Sequence, residues 1–455
     1  MVKSLNEIAD DLSALLALEC ERLKIPGAAV GILHNGEELH VCHGVTNLDD
    51  PQDVTPETLF GIGSTSKTIT GTALMALVEQ GKVRLEDLVV DYLPDVPITD
   101  PEVKKTVTVG QLVDHTSGWV GDTSCNTGWG DDALARAIEE MIPPAHQLTA
   151  PGAVMSYSNS AVTLAGHLIA TIEGEPFEAV ATRLVLQPLG MSHTFYSPTD
   201  VVHRRTACGH LVNGDAVTAV PIWPTLRWLA PAGGAFSTTK DQIAYARFHV
   251  DGDSSGSAPI TEESRQLMRT PRVTVASGID GVGVTWLLKS YGPLKVVEHG
   301  GNLSHLHVSA FSMVPDSRFA VTTLTNSAGG SALGVLIKEK AIEWLLGVES
   351  LPALDEIEQP DLTEYVGAYE AGQWDVIVEE ANGRLQLGMK VTDVSEGLSE
   401  EMIAVFEAPR TPVFFCRPDV VAPVSKPGEA HADFIRDESG KIAFVRQGMR
   451  VARRR

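Results

Sequence analysis

Two serines in this chain stand three residues ahead of a lysine. Ser64-Thr65-Ser66-Lys67 lies in FGIGSTSKTITGTALMALVEQGKV, and Ser237-Thr238-Thr239-Lys240 lies in GGAFSTTKDQIAYARF. Residues three apart share a helix face, so a serine in the first turn and a lysine one turn later can meet. A deprotonated lysine amine can take the hydroxyl proton, and a helix N-terminus favours the oxyanion that develops. The chemistry would be nucleophilic acyl transfer, and it needs a helix that begins at the serine. Ser64 satisfies that. Gly61 and Gly63 allow a tight approach, and Thr65, Ser66, Gly71 and Ala73 keep the following helix slim. Ser237 reads better as an ordinary helix N-cap, with Asp241 and Gln242 in the first turn and Lys240 a solvated charge.

A lone S-x-x-K is weak, and a capping serine is the plain alternative at Ser64, so other groups must decide. Tyr157-Ser158-Asn159 follows downstream. A phenol near a lysine can act as general base or acid, and the Asn159 amide can orient the lysine and hold a substrate carbonyl. The alternative is a core tyrosine at a helix start. Later, His299-Gly300-Gly301-Asn302 closes a strand-like run. Two glycines let a substrate backbone approach the strand edge. An N–H just after them could complete an oxyanion hole with the Ser64 N–H. The alternative there is a turn with a satisfied histidine.

The elements that must position these groups follow from the patterning. Leu5, Ile8, Leu12, Leu15, Leu16 and Leu23 predict an amphipathic helix over residues 4–24, ended by Pro26-Gly27. Apolar β-rich runs around His34-Asn35-Gly36 predict a hairpin. A second helix starts near Ser64 and stops at Gly81. Residues 84–200 read as helices and loops. Strand-like runs return at Val284–Leu288, Lys295–Glu298, His307–Val314 and Phe319–Thr325, with a helix at about 331–346. One antiparallel sheet uniting the early hairpin with the late strands, beside a helical region, is an α+β architecture. The organisation expected is a first domain over 1–346, an acidic Pro-containing linker over 347–362 and a small all-β domain over 363–455.

Composition narrows the function. Of 455 residues, 43% are hydrophobic, enough for a packed core. A formal net charge of −24 and a pI near 4.9 argue against nucleic acid as a partner. The basic end, Arg450 and Arg453-Arg454-Arg455, reads as a solvated terminus. Five scattered cysteines without a C-x-x-C suggest neither a disulfide framework nor a zinc site, and His203, His210, His305 and His307 are too dispersed for a metal centre. No metal and no cofactor are therefore expected, and no phosphate-binding glycine motif stands in a strand–turn–helix context. No run of about 18 apolar residues occurs and the N-terminus lacks a signal-peptide pattern, so no membrane span and a cytoplasmic location are expected.

Taken in order, Ser64-x-x-Lys67, Tyr157-x-Asn159 and His299-Gly300-Gly301 resemble the motifs of the serine β-lactamase-related hydrolases, specifically the class C-like branch of β-lactamases, D-aminopeptidases, DD-peptidases and carboxylesterases. Leu112-Val113-Asp114-His115-Thr116-Ser117-Gly118 is similar to that family's L-L-x-H-T-S-G stretch. Ala232-Gly233-Gly234-Ala235-Phe236-Ser237-Thr238-Thr239-Lys240-Asp241 is similar to its G-G-x-x-S-T-x-x-D segment. The resemblance covers about residues 10–345 and implies a class C β-lactamase-like fold. It assigns Ser64 as the acylated nucleophile and Lys67 as its activator. Tyr157 would be the base that shuttles the proton to the leaving group, and Asn159 a ligand of substrate or Lys67. The N–H groups of Ser64 and Asn302 would form the oxyanion hole. Ser237 falls in a structural segment. His299 takes the place of the lysine of K-T-G, which weakens the case for β-lactams. Tyr365-Val366-Gly367-Ala368-Tyr369 and Asn382 to Leu387 resemble a lipocalin-like β-barrel domain of such hydrolases, which in relatives covers the cleft or mediates homo-oligomers.

The function expected is a serine hydrolase acting on a small-molecule ester, a carboxylesterase or lactonase. An amidase or D-aminopeptidase-like peptidase, or an acyltransferase, uses the same intermediate, and a silent binding protein on the same fold is the alternative of another class. Trp119, Trp129, Trp223 and Trp228 lie in loop-like stretches, while Trp286 sits in a strand-like run. The loop tryptophans are either cleft walls for a bulky apolar or aromatic group, or half-buried anchors.

Overall fold

The expected Asn-Gly turn sets the first sheet pairing. Asn35 and Gly36 adopt φ 52° and 87°, and the strands Gly27–His34 and Glu37–Gly44 pair antiparallel across them. The computed structural model describes every residue except 1, 122, 124, 144–145, 253–256, 373, 393–409 and 427. In spatial order the main sheet runs Glu37–Gly44, Gly27–His34, Phe319–Thr325, His307–Val314, Leu294–Leu303, Leu287–Tyr291, Gly281–Val282 and Val273–Thr274. Early and late strands thus meet in one sheet, the α+β arrangement expected.

The two sheet faces carry different helices. On one face the N-terminal helix Leu5–Leu23 and the helix Gly330–Leu346 bury Leu12, Leu16, Ile337 and Ile342 against Val30, Ile32 and Val321. The other face meets the larger core, to which the helices Ser66–Glu79, Asn159–Glu173 and Thr239–Asp251 contribute. The Val284–Leu288 run is not one strand. Thr285 sits at φ 61° and donates its N–H to Val113 O at 2.8 Å, so the chain turns before Leu287–Tyr291 begins. Tertiary pairing here overrides β-propensity. Lys295–Glu298 instead extends through Leu303. Its neighbour Leu287–Tyr291 pairs with it only as far as Glu298, which leaves His299–Leu303 as an edge on that side among the described strands.

Gly367–Glu370 through Arg450–Arg454 close an eight-stranded barrel around Tyr365, Tyr369, Phe415, Phe434 and Val445. The basic C-terminus is the last barrel strand, not a solvated tail. It pairs with Ile442–Gln447 on one side and Gly367–Glu370 on the other, so burial of a closing strand outweighs its charge. Arg453 reaches Leu148 O in the first domain, and Arg455 pairs with Asp375 at 2.9 Å. No helix among the described residues is long and apolar enough to cross a membrane.

The barrel docks through a buried ion pair. Arg446 and Asp433 face each other on adjacent strands at 2.6 Å, with side chains 6% and 3% exposed. Arg446 Nη1 donates to Met155 O at 3.1 Å, and Asp433 accepts from Ser277 Oγ. Removing one partner strands a buried charge. Asp433→Ala is therefore expected to cost about 3–5 kcal/mol in a urea unfolding experiment. The double variant Asp433→Leu/Arg446→Met should recover much of that loss. Equal instability of single and double variants would show that the stranded charge is not the source of the loss.

Candidate active site

The segment that carries Ser64 is buried despite its polarity, because its neighbouring hydroxyls find backbone partners. Thr65 Oγ1 donates to His299 O at 3.1 Å, Ser66 Oγ to Gly63 O at 2.7 Å, Thr68 Oγ1 to Thr65 O at 2.8 Å and Thr70 Oγ1 to Pro231 O at 2.7 Å. Such local bonds let a Ser/Thr-rich run sit in a core. A helix starting at Ser64 was the sequence expectation. A short 3-10 turn over Gly63–Thr65 carries the serine instead, and the α-helix proper starts at Ser66. The serine and Lys67 still meet. Lys67 is fully buried, and its Nζ lies 2.9 Å from Ser64 Oγ, 2.8 Å from Asn159 Oδ1 and in contact with Ala232 O.

The second S-x-x-K does something else. Ser237 is in a two-residue strand paired with Phe60-Gly61, and Thr238, one residue beyond the expected position, caps the next helix through Asp241 N. Lys240 is exposed and bonds Glu57.

Tyr157 precedes the helix that starts at Asn159. Three hydrogen bonds fix the backbone around it. Ser156 N donates to His115 O at 2.8 Å, Ser158 N to His115 Nδ1 at 3.2 Å and Tyr157 N to Met449 O at 2.8 Å. His115 holds φ at 62°, an unusual value for a non-glycine residue, and its ring centroid lies 4.4 Å from that of Tyr157. Lys67 Nζ lies 4.9 Å from the tyrosine ring centroid and the Arg450 guanidinium 5.0 Å. Two cations beside the phenol would stabilise negative charge developing on its oxygen.

The third motif lies along the free edge of the Leu294–Leu303 strand. Gly301 is there by necessity: a Cβ would sit 1.9 Å from Ile62 O and 2.7 Å from Ser64 N. Gly63 has φ 50°, and a Cβ on it would lie 2.8 Å from Asn302 N. The two glycines let the Ser64 and Asn302 amides approach one region. Gly300 is less confined, with Ser309 O at 3.3 Å the nearest atom to its missing Cβ. His299 is buried and donates Nδ1–H to Gly300 O at 2.7 Å, the tautomer that leaves Nε2 as an acceptor. That Nε2 is buried and has no hydrogen-bond partner among the described residues. Burial, then the charge of Lys67, pushes the His299 imidazole down to about 3, so it is neutral at physiological pH.

One cavity of about 450 Å³ joins Ser64, Tyr157, Asn159, His299, Gly300, Gly301 and Asn302. Met449 and Arg450 of the barrel line it too. Neither is legible locally: Arg450 reads as part of a solvated basic end, and nothing around Met449 points to a cleft built from residues far away in the chain. None of the tryptophans lines this cavity. Trp119, Trp228 and Trp286 are buried, and Trp129 is 41% exposed. Among the described residues no cluster of His, Cys, Asp or Glu could hold a metal ion.

The chain is similar to known proteins over most of its length. A family model described as Beta-lactamase matches residues 15–341. Penicillin-binding protein 4 of Amycolatopsis lactamdurans is 29% identical over 364 residues, covering 76% of this chain and 93% of that protein. Protein flp of Staphylococcus aureus (strain NCTC 8325 / PS 47) is 24% identical over 334 residues, 70% of this chain but only 64% of flp. The solved structure of SurE covers 99% of both chains with a TM-score of 0.76 and 23% identity, a likeness of fold.

Two outcomes follow. Gly301→Ala should slow labelling of Ser64 by a fluorophosphonate at least ~100-fold, the scale of a lost oxyanion donor, while Gly300→Ala stays within a few-fold. Equal effects of the two would contradict the close approach described. Second, His115, His249, His299 and His307 are all held below the ordinary range by burial. Above about pH 6.5 they are neutral folded or unfolded; below it only the unfolded chain gains protons. Stability should therefore fall as pH drops from about 6.5 toward 3, by up to ~1.4 kcal/mol per pH unit per histidine. Urea unfolding at pH 7.5, 6.5 and 5.5 tests this, and a stability that rose on acidification would refute it.

Proposed function

This chain belongs to the beta-lactamase family, and on that premise we propose that it is a carboxylic ester or lactone hydrolase working through a Ser64 acyl-enzyme. The observation that carries the choice of serine is the Lys67 ammonium on Ser64 Oγ, Asn159 Oδ1 and Ala232 O. In the proposed reaction Lys67 activates Ser64 and the Tyr157 oxygen takes the hydroxyl proton. Ser64 Oγ attacks the substrate carbonyl carbon, and the N–H groups of Ser64 and Asn302 hold the oxyanion. Tyr157 returns the proton to the departing alkoxide, leaving the acyl group on Ser64. Water, deprotonated by Tyr157, then attacks the acyl carbon; the bond to Ser64 Oγ breaks, Tyr157 returns the proton to that oxygen, and the acid leaves. Asn159 keeps Lys67 aimed, and the neutral His299 lines the cavity beside Gly300 and Gly301.

Neutral His299 favours an ester over a β-lactam. It offers no positive charge for a ring carboxylate at the position where the resemblance puts a lysine. One observation favours a second reading, an amidase. Arg450 brings a cation to the same cavity, suited to the carboxylate of an amino-acid leaving group. SurE has been crystallised with D-Leu, which makes a D-residue the first amide to try.

The test is turnover of p-nitrophenyl butyrate, a D-alanine anilide and a chromogenic cephalosporin by wild type and Ser64→Ala. The ester should be the best substrate, and Ser64→Ala should lower its kcat by about 10³-fold or more. Anilide turnover dominating would favour the amidase. Activity unchanged in Ser64→Ala would reject the nucleophile, and inactivity of wild type on all three would favour a silent scaffold.

A further inference from the structure

We propose that a second cavity, walled by Trp129, Phe195 and Asp200, is a binding site for a small organic amine with an aromatic or apolar body. The cavity holds about 910 Å³, against about 450 Å³ at Ser64, and the two share no lining residue. Its volume is that of a small-ligand site. It lies outside the chemistry assigned to Ser64, and neither reading depends on the other.

Trp129 is the one exposed tryptophan among those described, and it lines this cavity rather than the catalytic one. Its position is braced. Arg227 Nη1 donates to Trp129 O at 2.8 Å, and the same guanidinium is gripped by Asp131 at 2.6 Å and by Glu178 at 3.1 Å. An apolar ring held in water by an ion-pair network costs little further ordering when a ligand covers it. The opposite wall is as firm. Phe195 and Phe236 exchange backbone hydrogen bonds at 2.9 and 2.8 Å, and Thr194 Oγ1 donates to the Asp241 carboxylate at 2.8 Å. Between the two walls the helix Phe177–Ala181 widens into a π turn over Thr182–Leu186, where Gln187 N bonds Thr182 O five residues back at 2.9 Å. Thr182, Leu186 and Gln187 all line the cavity. Such turns are rare and occur often at functional sites.

Charge selects the ligand. Glu178, Asp200 and Arg227 are the charged groups of the lining. Arg227 is already matched by Glu178 and Asp131, and it has no unmatched charge to offer an anion. Asp200 forms no ion pair with any described residue. The neighbouring Arg204 donates to the Asp200 backbone carbonyl instead, and its guanidinium lies 4.5 Å from the Phe195 ring centroid. Three carboxylates thus stand against two guanidiniums around the cavity, in a chain of net charge −24. A cation is drawn into such a site and an anion is repelled. An ammonium head on Asp200 with its apolar body against Trp129 uses both features, and an aromatic face adds attraction for the cation.

The test is isothermal titration calorimetry at neutral pH with 4-phenylbutylamine, 4-phenylbutan-1-ol and 4-phenylbutyrate, which share a body and differ in charge. The amine should bind saturably at one site, about fivefold or more tighter than the alcohol, with the carboxylate weakest. Trp129→Ala should weaken the amine about fivefold or more. Asp200→Asn should reduce its advantage over the alcohol to about twofold or less. Both side chains are exposed, so neither substitution threatens folding. Ser64→Ala and Arg450→Ala, which change the other cavity, should leave the amine affinity unchanged. Absence of saturable binding, equal affinity for amine and alcohol, or binding unmoved by Trp129→Ala and Asp200→Asn would each overturn the proposal. Amine binding lost in Ser64→Ala or Arg450→Ala would overturn it too, by placing the amine in the catalytic cavity.

Discussion

A lysine with no solvent exposure has to be surrounded by acceptors, and much of this fold can be understood as the means of supplying them. Stripping an ammonium of water is tolerable only when its three N–H groups are matched. Lys67 meets Ser64 Oγ, Asn159 Oδ1 and Ala232 O, from three segments far apart in sequence. Satisfying Lys67 therefore fixes the turn at Gly63–Thr65, the start of the Asn159–Glu173 helix and the 229–234 turn relative to each other. The small residues around these points serve the same end. Gly301 and Gly63 let the third-motif strand approach Ser64, and Gly71 lets the Ser66–Glu79 helix approach Thr285.

The barrel extends that constraint. Met155, Ser156 and Tyr157 are held on one side by His115 and on the other by the barrel. Arg446 bonds Met155 O, Val451 N bonds Ser156 Oγ, and Met449 O accepts from Tyr157 N. The proposed proton carrier thus sits on backbone shared between two domains. The Asp433–Arg446 pair makes that junction a buried one, where slippage would leave a charge unsatisfied. A domain joined in this way is part of the cleft wall, since Met449 and Arg450 come with it.

Short-range physics was the legible part of the sequence. The 34–36 hairpin turn depends on two residues, and the Ser64–Lys67 contact on one helical turn. The Leu5–Leu23 helix is legible in its apolar spacing, and a Ser4–Glu7 capping box fixes its start. Tyr157 and His299 were legible as chemical types, but their meeting with Ser64 depends on a sheet that joins residues 27–44 to 273–325, which no local pattern encodes. The basic terminus misled for the same reason. Arginine charge suggests solvent, whereas Val451 and Ala452 are buried and the strand closes a barrel. The tryptophans show the limit of composition: the side chain is equally suited to a cleft wall and to a core, and only packing separates Trp286 in the core from Trp223, half-buried and stacked on Phe236.

Charge on the molecule acts at two ranges that oppose each other. The net −24 disfavours the approach of anions, but at physiological ionic strength that field is screened over ~8 Å. Inside the cleft Lys67 and Arg450, both positive, flank a phenol, while His299 stays neutral. The local field is therefore arranged for a charge that appears during reaction, on an oxyanion or a phenolate, more than for one carried in by the substrate. The neutral ester proposed as substrate would take full advantage of that arrangement, because the cations would gain an anion only in the transition state.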